Sequence, residues 1–331
     1  MIGQPTLVTG ASGFLGQHVC RALLAGGSAV RGLVRTADAG PAGIERFGCS
    51  DLLDRAAIRK AVEGVETVVH LAARVHVMAD KSADPLAEYR RTNVEGTRTL
   101  VVESLAAGVR RLVLLSTVKT VGESSEVPWT EETPPLPSDP YGISKLEAEQ
   151  VVLQLAPPGG MAASVLRLPL VYGPGMKANM LRLFEAVDRG LPLPLGGVRN
   201  RRSLVFVGNV VAAIERVILT PAAAGEIFFV RDARDVSTPD LVRAIALALG
   251  RPARLIPVPA PLFRAAGVIG DLLSPFVRVP VSTAAVGRLF GSLVVDGSKL
   301  ARVTGFEPPF SLEEGLRSTA DWYRQHSAAR R

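Results

Sequence analysis

The feature that most restricts the fold of this chain is a glycine-spaced turn near its start, between an apolar strand and an apolar helix. Residues 6–16 read Thr-Leu-Val-Thr-Gly-Ala-Ser-Gly-Phe-Leu-Gly, with Gly10, Gly13 and Gly16 three residues apart. Gly10 allows a tight turn, Gly13 lets the backbone approach a pyrophosphate, and Gly16 lets the helix pack on the strand. Free backbone N–H groups and the helix dipole would then face an anion. The spacing predicts a dinucleotide site; a purely structural turn is the alternative.

The first half of the chain alternates short β-rich runs with helical stretches. This alternation is typical of a parallel sheet covered on both faces. Right-handed crossovers give an α/β, doubly wound Rossmann fold, with ligands above the carboxyl ends of the strands. The predicted strands are Pro5–Thr9, Ala29–Val34, Thr67–Leu71, Arg111–Ser116 and Ala163–Leu168, and the predicted helices are Leu15–Ala25, Leu53–Val62, Ala87–Ala107 and Tyr141–Leu155.

A second, smaller lobe is predicted after Tyr172, where glycine and proline interrupt the periodicity. Residues 205–230 restore a strand, a helix and a strand, so we expect the chain to re-enter the first lobe there. We assign residues 1–172 to a dinucleotide-binding Rossmann domain, with 203–232 returning to it, and residues 173–202 and 233–331 to a substrate-binding lobe.

Composition excludes several classes of protein. The chain has 331 residues, of which 47% are hydrophobic and 21% charged, and this composition excludes a disordered chain. The length is sufficient for a hydrophobic core that needs no disulfide or metal ion to stabilise it. Two cysteines form no disulfide framework, and no spacing resembles a metal site, so we predict no metal. The few cysteines and the absence of a basic, cleavable leader before Gly10 favour the cytoplasm.

The charge balance favours a small anionic ligand over nucleic acid. Lys and Arg number 38 and Asp and Glu 31, a net charge of +7. The arginines are scattered, and aromatic residues make up only 5% of the chain, unlike a nucleic-acid surface. The positive net charge is explained equally well by an enzyme that attracts a phosphorylated substrate.

The most apolar tract, residues 255–281, is interrupted by charged residues and by prolines. It contains no uninterrupted stretch of the ~20 apolar residues that a transmembrane helix requires. We therefore predict no transmembrane segment. A mobile lid and a peripheral membrane contact both remain open for this tract.

Tyr141 and Lys145 stand four residues apart, on one face of a helix that Pro140 helps to begin. A neighbouring ammonium favours phenolate, which predicts a lowered pKa for Tyr141 and an acid–base role. Thr117 follows a predicted strand, where its hydroxyl could orient the substrate oxygen that Tyr141 protonates.

The end of the second strand bears on the choice between NAD and NADP. No carboxylate stands where one would bind the ribose 2′-hydroxyl, and Arg35 could pair with a 2′-phosphate instead. NADP is therefore the preferred cofactor; NAD, bound through other contacts with Arg35 solvated, is the alternative. Asp51 could hold the adenine amino group or could cap the following helix.

Together these motifs resemble the extended short-chain dehydrogenase/reductases of the NAD-dependent epimerase/dehydratase kind, over nearly the whole chain. The residues that carry the resemblance are 9–16, Asp51-Leu52, 70–73, 93–97, Ser116-Thr117, Tyr141 with Lys145, Arg167 and 171–175.

The resemblance implies that Tyr141 is the acid–base, that Lys145 binds the nicotinamide ribose, and that Thr117 is the third catalytic group. Ser116 could share the role of Thr117. His70 and Tyr172 are interpreted as packed core residues. The cofactor contacts implied are Gly10, Ser12, Gly13, Phe14, Leu15, Gly16, Arg35, Asp51, Leu52, Leu71, Ala72, Ala73, Ser116, Tyr141, Lys145, Pro169 and Val171.

The second lobe is similar to that of sugar-nucleotide enzymes. The resemblance implies that Arg202 binds a diphosphate, Asn179 contacts the nucleotide and Asp296 meets its ribose, alongside Ser116, Thr117 and Tyr141 at the sugar. Asn179 and Arg202 could instead be surface residues, and Asp296 a helix cap. Leu170 departs from the asparagine common in sugar-nucleotide epimerases, which removes one polar contact.

The resemblance is strongest to bacterial UDP-N-acetyl-hexosamine 4-epimerases and UDP-4-keto-6-deoxy-hexosamine 4-reductases, which serve surface polysaccharides. It implies a homodimer and a UDP-linked sugar as substrate. Two other functions stay open. Leu170 and the apolar tract 255–281 would suit a hydrophobic ketone or sterol-like alcohol, and the fold could also be a non-catalytic dinucleotide sensor.

Overall fold

The computed structural model describes residues 5–36, 39–75, 82, 84–125, 127–156, 159–273 and 282–328. Within these residues the chain forms nine strands and twelve α-helices. The strands are β1 (Thr6–Thr9), β2 (Val30–Val34), β3 (Glu45–Gly48), β4 (Thr67–His70), β5 (Arg111–Thr117), β6 (Ala162–Leu168), β7 (Leu170–Tyr172), β8 (Leu204–Phe206) and β9 (Ile227–Phe229).

Seven strands form one sheet in the order β3-β2-β1-β4-β5-β6-β9, and every neighbouring pair is parallel. β7 and β8 form a separate parallel pair. The order reverses at β1, which places a crevice between the ends of β1 and β4. The doubly wound α/β fold predicted from the alternation is confirmed.

The helices match the predicted periodicity closely in the first half of the chain. They are α1 (Phe14–Ala25), α2 (Arg55–Val62), α3 (Pro85–Arg90), α4 (Gly96–Ala106), α5 (Pro140–Leu155), α6 (Ala178–Asp188), α7 (Val207–Leu219), α8 (Thr238–Leu249), α9 (Ala260–Leu273), α10 (Thr283–Phe290), α11 (Ser298–Thr304) and α12 (Leu312–Ala328). The single helix predicted over Ala87–Ala107 is divided, because a π-helical turn at Arg91–Glu95 joins α3 to α4.

The sheet has a core on each face because neighbouring strand residues point in opposite directions. Leu7 and Val8 are both fully buried, yet they belong to different apolar clusters. α1 and α7 cover the face of Val8, and α2, α4 and α5 cover the face of Leu7. A third cluster joins α6, α8 and α12 to the β7–β8 pair.

The apolar tract 255–281 forms α9 over part of its length, and residues 274–281 lie outside the described residues. Among the helices of the described residues, none is both long and apolar enough to cross a membrane.

Candidate active site

The glycine turn after β1 forms a backbone cradle. Gly10 has a φ of +67°, and a Cβ built there would lie 3.0 Å from the backbone nitrogen of Ala72. A Cβ on Gly16 would lie 2.1 Å from the carbonyl oxygen of Gly10, so only glycine lets α1 pack this closely. Gly13 is the N-cap of α1, and Ser12, Phe14 and Leu15 flank it.

This cradle fits the pyrophosphate of a dinucleotide. The first-turn N–H groups of α1 have no capping side chain, because the N-cap is glycine. They lie at the positive end of the helix dipole, where an anion is stabilised. Leu71, Ala72 and Ala73 follow β4 beside this cradle and are half-buried.

A chain of buried hydrogen bonds fixes the strand ends beside the cradle. The Oγ1 of Thr9 accepts from the backbone nitrogens of Leu71 (3.1 Å) and Ala72 (3.0 Å), and lies 2.7 Å from the Nδ1 of His70. The Nε2 of His70 lies 2.9 Å from the Oγ1 of Thr97, which donates to the Asn93 carbonyl. Every donor in this chain has an acceptor if His70 is neutral with its proton on Nε2, because Nδ1 then accepts from Thr9 and Nε2 donates to Thr97.

The same chain continues into the helix of the predicted catalytic pair. The Nδ2 of Asn93 donates to the Oγ of Ser144 at 2.9 Å, and that hydroxyl donates to the carbonyl of Tyr141 at 2.8 Å. Asn93 also exchanges two hydrogen bonds with the backbone of Arg74. The first turn of α5 is thereby joined to the end of β4.

Burial controls the ionisation of the pair on α5. It raises the pKa of Tyr141, and the carboxylate of Asp139 raises it further. It lowers the pKa of Lys145 to about 8, against the opposing effect of Glu149. The predicted lowering of the Tyr141 pKa is therefore wrong here, because desolvation of the phenolate is the main cause of the shift and both Asp139 and Tyr89 add to it.

The two hydroxyls at the end of β5 have different surroundings, because neighbouring strand residues face opposite sides. Ser116 is buried and donates to Glu149, which forms a buried ion pair with Arg167 at 2.7 Å. Thr117 is half-buried, and its hydroxyl accepts from the Lys119 nitrogen at 3.3 Å. Ser116 is thus part of a buried polar cluster, and Thr117 remains the candidate for substrate contact.

Two charged residues near Tyr141 escaped the sequence reasoning. Lys119, in the turn after β5, binds Glu123 at 2.8 Å and also Asp139. Asp139 caps α5 by accepting from the Gly142 nitrogen at 2.6 Å. The Asp-Pro pair before Tyr141 was a visible signal for this cap, whereas the contact with Lys119 depends on the tertiary fold.

The adenosine end of the predicted cofactor site is open and cationic. Arg35 is exposed immediately after β2. Asp51 binds Arg91 and accepts from the Leu53 nitrogen at 3.1 Å. Leu52 packs against Gly96. The alternative that Asp51 caps α2 is wrong, because Asp54 does so by accepting from the Ala57 nitrogen at 3.0 Å.

The residues predicted for the substrate lie on different elements. Arg202 donates to the carbonyls of Arg288 and Gly291 (3.0 Å to the latter), at the end of α10. Asn179 is exposed in the first turn of α6. Asp296 accepts from the Ser298 nitrogen at 2.8 Å and lines a surface cleft with Arg231 and Phe229.

Two core interpretations are confirmed. His70 is buried within the hydrogen-bond chain described above, and burial lowers its pKa to about 3. Tyr172 is fully buried, packs against Phe206 and donates to Asp232 at 2.9 Å. Pro169 is buried between β6 and β7, Val171 is half-buried, and Leu170 is 51% exposed.

A seven-stranded parallel sheet in this order, a glycine cradle after β1 and a tyrosine–lysine pair on α5 define an oxidoreductase of the short-chain type. Comparison with known proteins gives the particular family. A sequence profile described as "NAD dependent epimerase/dehydratase family" matches residues 6–230, and the chain belongs to that family.

Several relatives are similar over nearly their whole length. A UDP-glucose 4-epimerase of Vibrio cholerae is 37% identical, over 96% of this chain and 95% of the relative. An N-acetyl-α-D-glucosaminyl-diphospho-ditrans,octacis-undecaprenol 4-epimerase of Escherichia coli O157:H7 is 27% identical, over 97% and 96%. The solved structure of MoeE5 with UDP-glucose and NAD has a TM-score of 0.77 and 27% identity, covering 98% of this chain and 99% of that one.

Proposed function

We propose that this enzyme acts at C4 of a UDP-linked amino or deoxy sugar, as a 4-epimerase or a 4-keto reductase, in the synthesis of surface polysaccharide. The observation that carries the proposal is the hydrogen-bond chain from Thr9 through His70 and Asn93 to Tyr141. It fixes the acid–base helix beside the glycine cradle. The family and the relative from Vibrio cholerae support the same chemistry.

The cofactor, when bound, supplies the hydride acceptor and donor. We assign the proton to Tyr141, which removes it from the C4 hydroxyl during oxidation and returns it to the keto oxygen during reduction. Because burial holds the pKa of Tyr141 above its ordinary value, the resting side chain is a phenol that donates its proton during reduction, and only its phenolate form removes the proton during oxidation. Thr117 orients the C4 oxygen, and Lys145 holds the cofactor ribose. The exposed cation of Arg35 favours NADP over NAD.

We assign the substrate's nucleotide diphosphate to the second lobe. Arg202 binds the diphosphate, because a guanidinium pairs with it in a forked geometry. The carbonyls of Arg288 and Gly291 hold that side chain in place. Asn179 and Asp296 contact the nucleoside.

A thermal-shift panel of UDP-, GDP- and TDP-sugars, each with NAD(H) and NADP(H), tests the substrate class. We expect the largest stabilisation from UDP-sugars. Detection of the C4 epimer by NMR, with no net consumption of reduced cofactor, identifies an epimerase. Stoichiometric oxidation of NADPH identifies a reductase. If no sugar nucleotide shifts the melting temperature and an uncharged hydrophobic ketone is turned over, the proposal is wrong and the enzyme is a ketone reductase.

A second candidate substrate is a sugar diphosphate carried on a polyprenol, with the same chemistry at C4. The name of the Escherichia coli relative supports it. So does the outer face of α9, where Leu262, Ile269 and Leu272 are more than half exposed. Turnover of the lipid-linked sugar, but of no nucleotide sugar, would select this candidate.

A further inference from the structure

α9 has an unusual distribution of apolar side chains. Its packed side carries Phe263 and Gly267, which face α10, and Gly270 is buried as well; the rings of Phe263 and Phe290 meet edge to face at 5.2 Å. A Cβ on Gly267 would lie 3.1 Å from the backbone of Thr283. The two glycines therefore lie on the packed side, and the large aliphatic residues point out.

The outward side chains form one continuous surface, which we call the α9 face. Their spacing of three and four residues places them on one side of the helix. Leu262 is 61% exposed, Val268 57%, Ile269 58% and Leu272 76%. Its members are Leu262, Ala265, Ala266, Val268, Ile269 and Leu272.

Charge around the α9 face is positive. Arg264 on α9 and Arg288 on α10 are both exposed. The carboxylate of Asp271 is directed to α10, where it accepts from the Thr283 nitrogen at 3.1 Å. The whole chain carries a net charge of +7. An aliphatic surface with a cationic border complements anionic lipid.

We propose that the α9 face lies in the interface of an anionic lipid bilayer and holds the enzyme at the membrane surface. Protein interfaces are enriched in aromatic residues, methionine and arginine, whereas the members of the α9 face are all aliphatic. A bilayer needs no matched shape, only apolar side chains that reach the acyl boundary and cations that meet the headgroups.

The position of α10, against which α9 packs, gives this contact a functional consequence. The carbonyls of Arg288 and Gly291, at the end of α10, accept from Arg202, and the carbonyl of Leu289 accepts from Asn200 at 2.8 Å. The helix pair that meets the lipid therefore borders the proposed diphosphate site. A membrane-bound enzyme would receive its sugar diphosphate at the bilayer surface.

Vesicle co-sedimentation tests the proposal without any substrate. We expect the protein to bind phosphatidylcholine vesicles that contain phosphatidylglycerol, and to bind more weakly as salt increases. The double variant Ile269→Glu/Leu272→Glu should bind at least about tenfold more weakly, because two charges enter the apolar face. The matched control Leu219→Glu/Leu247→Glu changes residues 65% and 79% exposed on α7 and α8, and should bind as the parent does.

A second measurement locates the contact. The indole of a Leu272→Trp variant should be quenched by brominated lipid, whereas that of Leu247→Trp should not. Equal vesicle binding by parent and α9 variant, or no binding by either, overturns the proposal. A parent dimer that the α9 variant converts to a monomer also overturns it, because a second copy would then cover the face. Turnover of a sugar nucleotide in vesicle-free buffer tests the proposed function separately.

Discussion

At the scale of single residues, the site combines neutral and charged groups whose burial decides their ionisation. Tyr141 and Lys145 are both desolvated, so each is shifted toward its uncharged form. Glu149 forms a buried ion pair with Arg167 in the same interior. Substitution of Tyr141 should therefore change the reaction rate, whereas substitution of Glu149 should change the stability of the fold.

Replacing Tyr141 by phenylalanine removes the proposed proton carrier and little volume. We expect kcat to fall about 10²–10⁴-fold, because general acid–base catalysis contributes about that factor. Cofactor affinity, measured by fluorescence titration, should stay within a few-fold of the parent.

Tyr89→Phe is the control for this change, because the two rings lie 6.1 Å apart and Tyr89 donates to the Val75 carbonyl instead. Its kcat should stay close to that of the parent. Full activity in Tyr141→Phe would refute the assigned role.

Replacing Glu149 by glutamine leaves Arg167 buried without its ionic partner. The two side chains are 1% and 4% exposed. We expect the free energy of unfolding to fall by about 3–5 kcal/mol, as when one partner of a buried ion pair is removed. Urea denaturation measures the change.

Glu147→Gln, two residues earlier on α5, is the matched control. Glu147 pairs with Arg90, and their side chains are 29% and 49% exposed. Solvent screens such a pair, so the expected loss is only about 0–1 kcal/mol. Equal losses in both variants would show that burial of the Glu149 pair is unimportant for stability.

At the scale of elements, the close contact between the turn after β1 and the start of α1 depends on the absence of a side chain at Gly16. The turn brings the start of α1 so close to Gly10 that the backbone itself fills the space where a Cβ would stand at Gly16. Any side chain added at Gly16 should therefore displace the backbone of the adjacent glycine cradle.

Gly16→Ala tests this contact. A Cβ would lie 2.1 Å from the Gly10 carbonyl oxygen and 2.8 Å from the Cα of Ala11, so the helix must shift. We expect a loss of about 1–3 kcal/mol in the free energy of unfolding from overpacking. Cofactor affinity should also weaken, because the displaced N–H groups would form the pyrophosphate site.

Gly287→Ala, in α10, is the control, because a Cβ there meets no atom within 4 Å. Alanine in a helix interior is favoured over glycine by about 0.5–1 kcal/mol, so this variant should be slightly more stable. A Gly16→Ala variant with parental stability and cofactor affinity would contradict the close-packing argument.

At the scale of the whole molecule, one hydrogen-bond chain joins β1, β4, α4 and α5. His70 stands at its centre, and both ring nitrogens are engaged by hydroxyl groups. Protonation would turn the ring into a donor at both nitrogens and break the contact with Thr9. Burial accordingly lowers the pKa of His70 to about 3, from an ordinary value of 6.5.

Acid stability follows from this lowered pKa. Below pH 6.5 the unfolded chain binds a proton at His70 that the folded chain does not, so the stabilisation present above pH 6.5 is lost as pH falls toward 3. We compare the free energy of unfolding of the parent with that of His70→Gln at each pH. As pH falls from 6.5 toward 3, the parent should lose about 1.4 kcal/mol more per pH unit than the variant does. Urea denaturation at pH 7, 6, 5 and 4 measures the difference, and a difference independent of pH would contradict the assignment.

From sequence alone, most of the parallel sheet, the glycine turn after β1 and the placing of Tyr141 and Lys145 on one helix were predictable. Local rules govern these features: alternating apolar runs predict buried parallel strands, and the spacings of Gly10 to Gly16 and of Tyr141 to Lys145 each lie within one turn or helix. The π-helical turn before α4 was not predictable, because its conformation depends on the contacts of Asn93 with Ser144 and Arg74.

The ionisation of Tyr141 and Lys145 and the exposure of α9 depend on long-range packing and could not be predicted from local sequence. The pKa of Tyr141 is raised mainly by desolvation, and desolvation depends on how segments distant in sequence pack around the phenol. Likewise, the sequence left the apolar tract around Leu262 and Leu272 open between a lid and a membrane contact, and only the packing shows Gly267 inward and the two leucines outward. Spacing fixes which residues share a helix or turn, but burial depends on the packing of the whole chain.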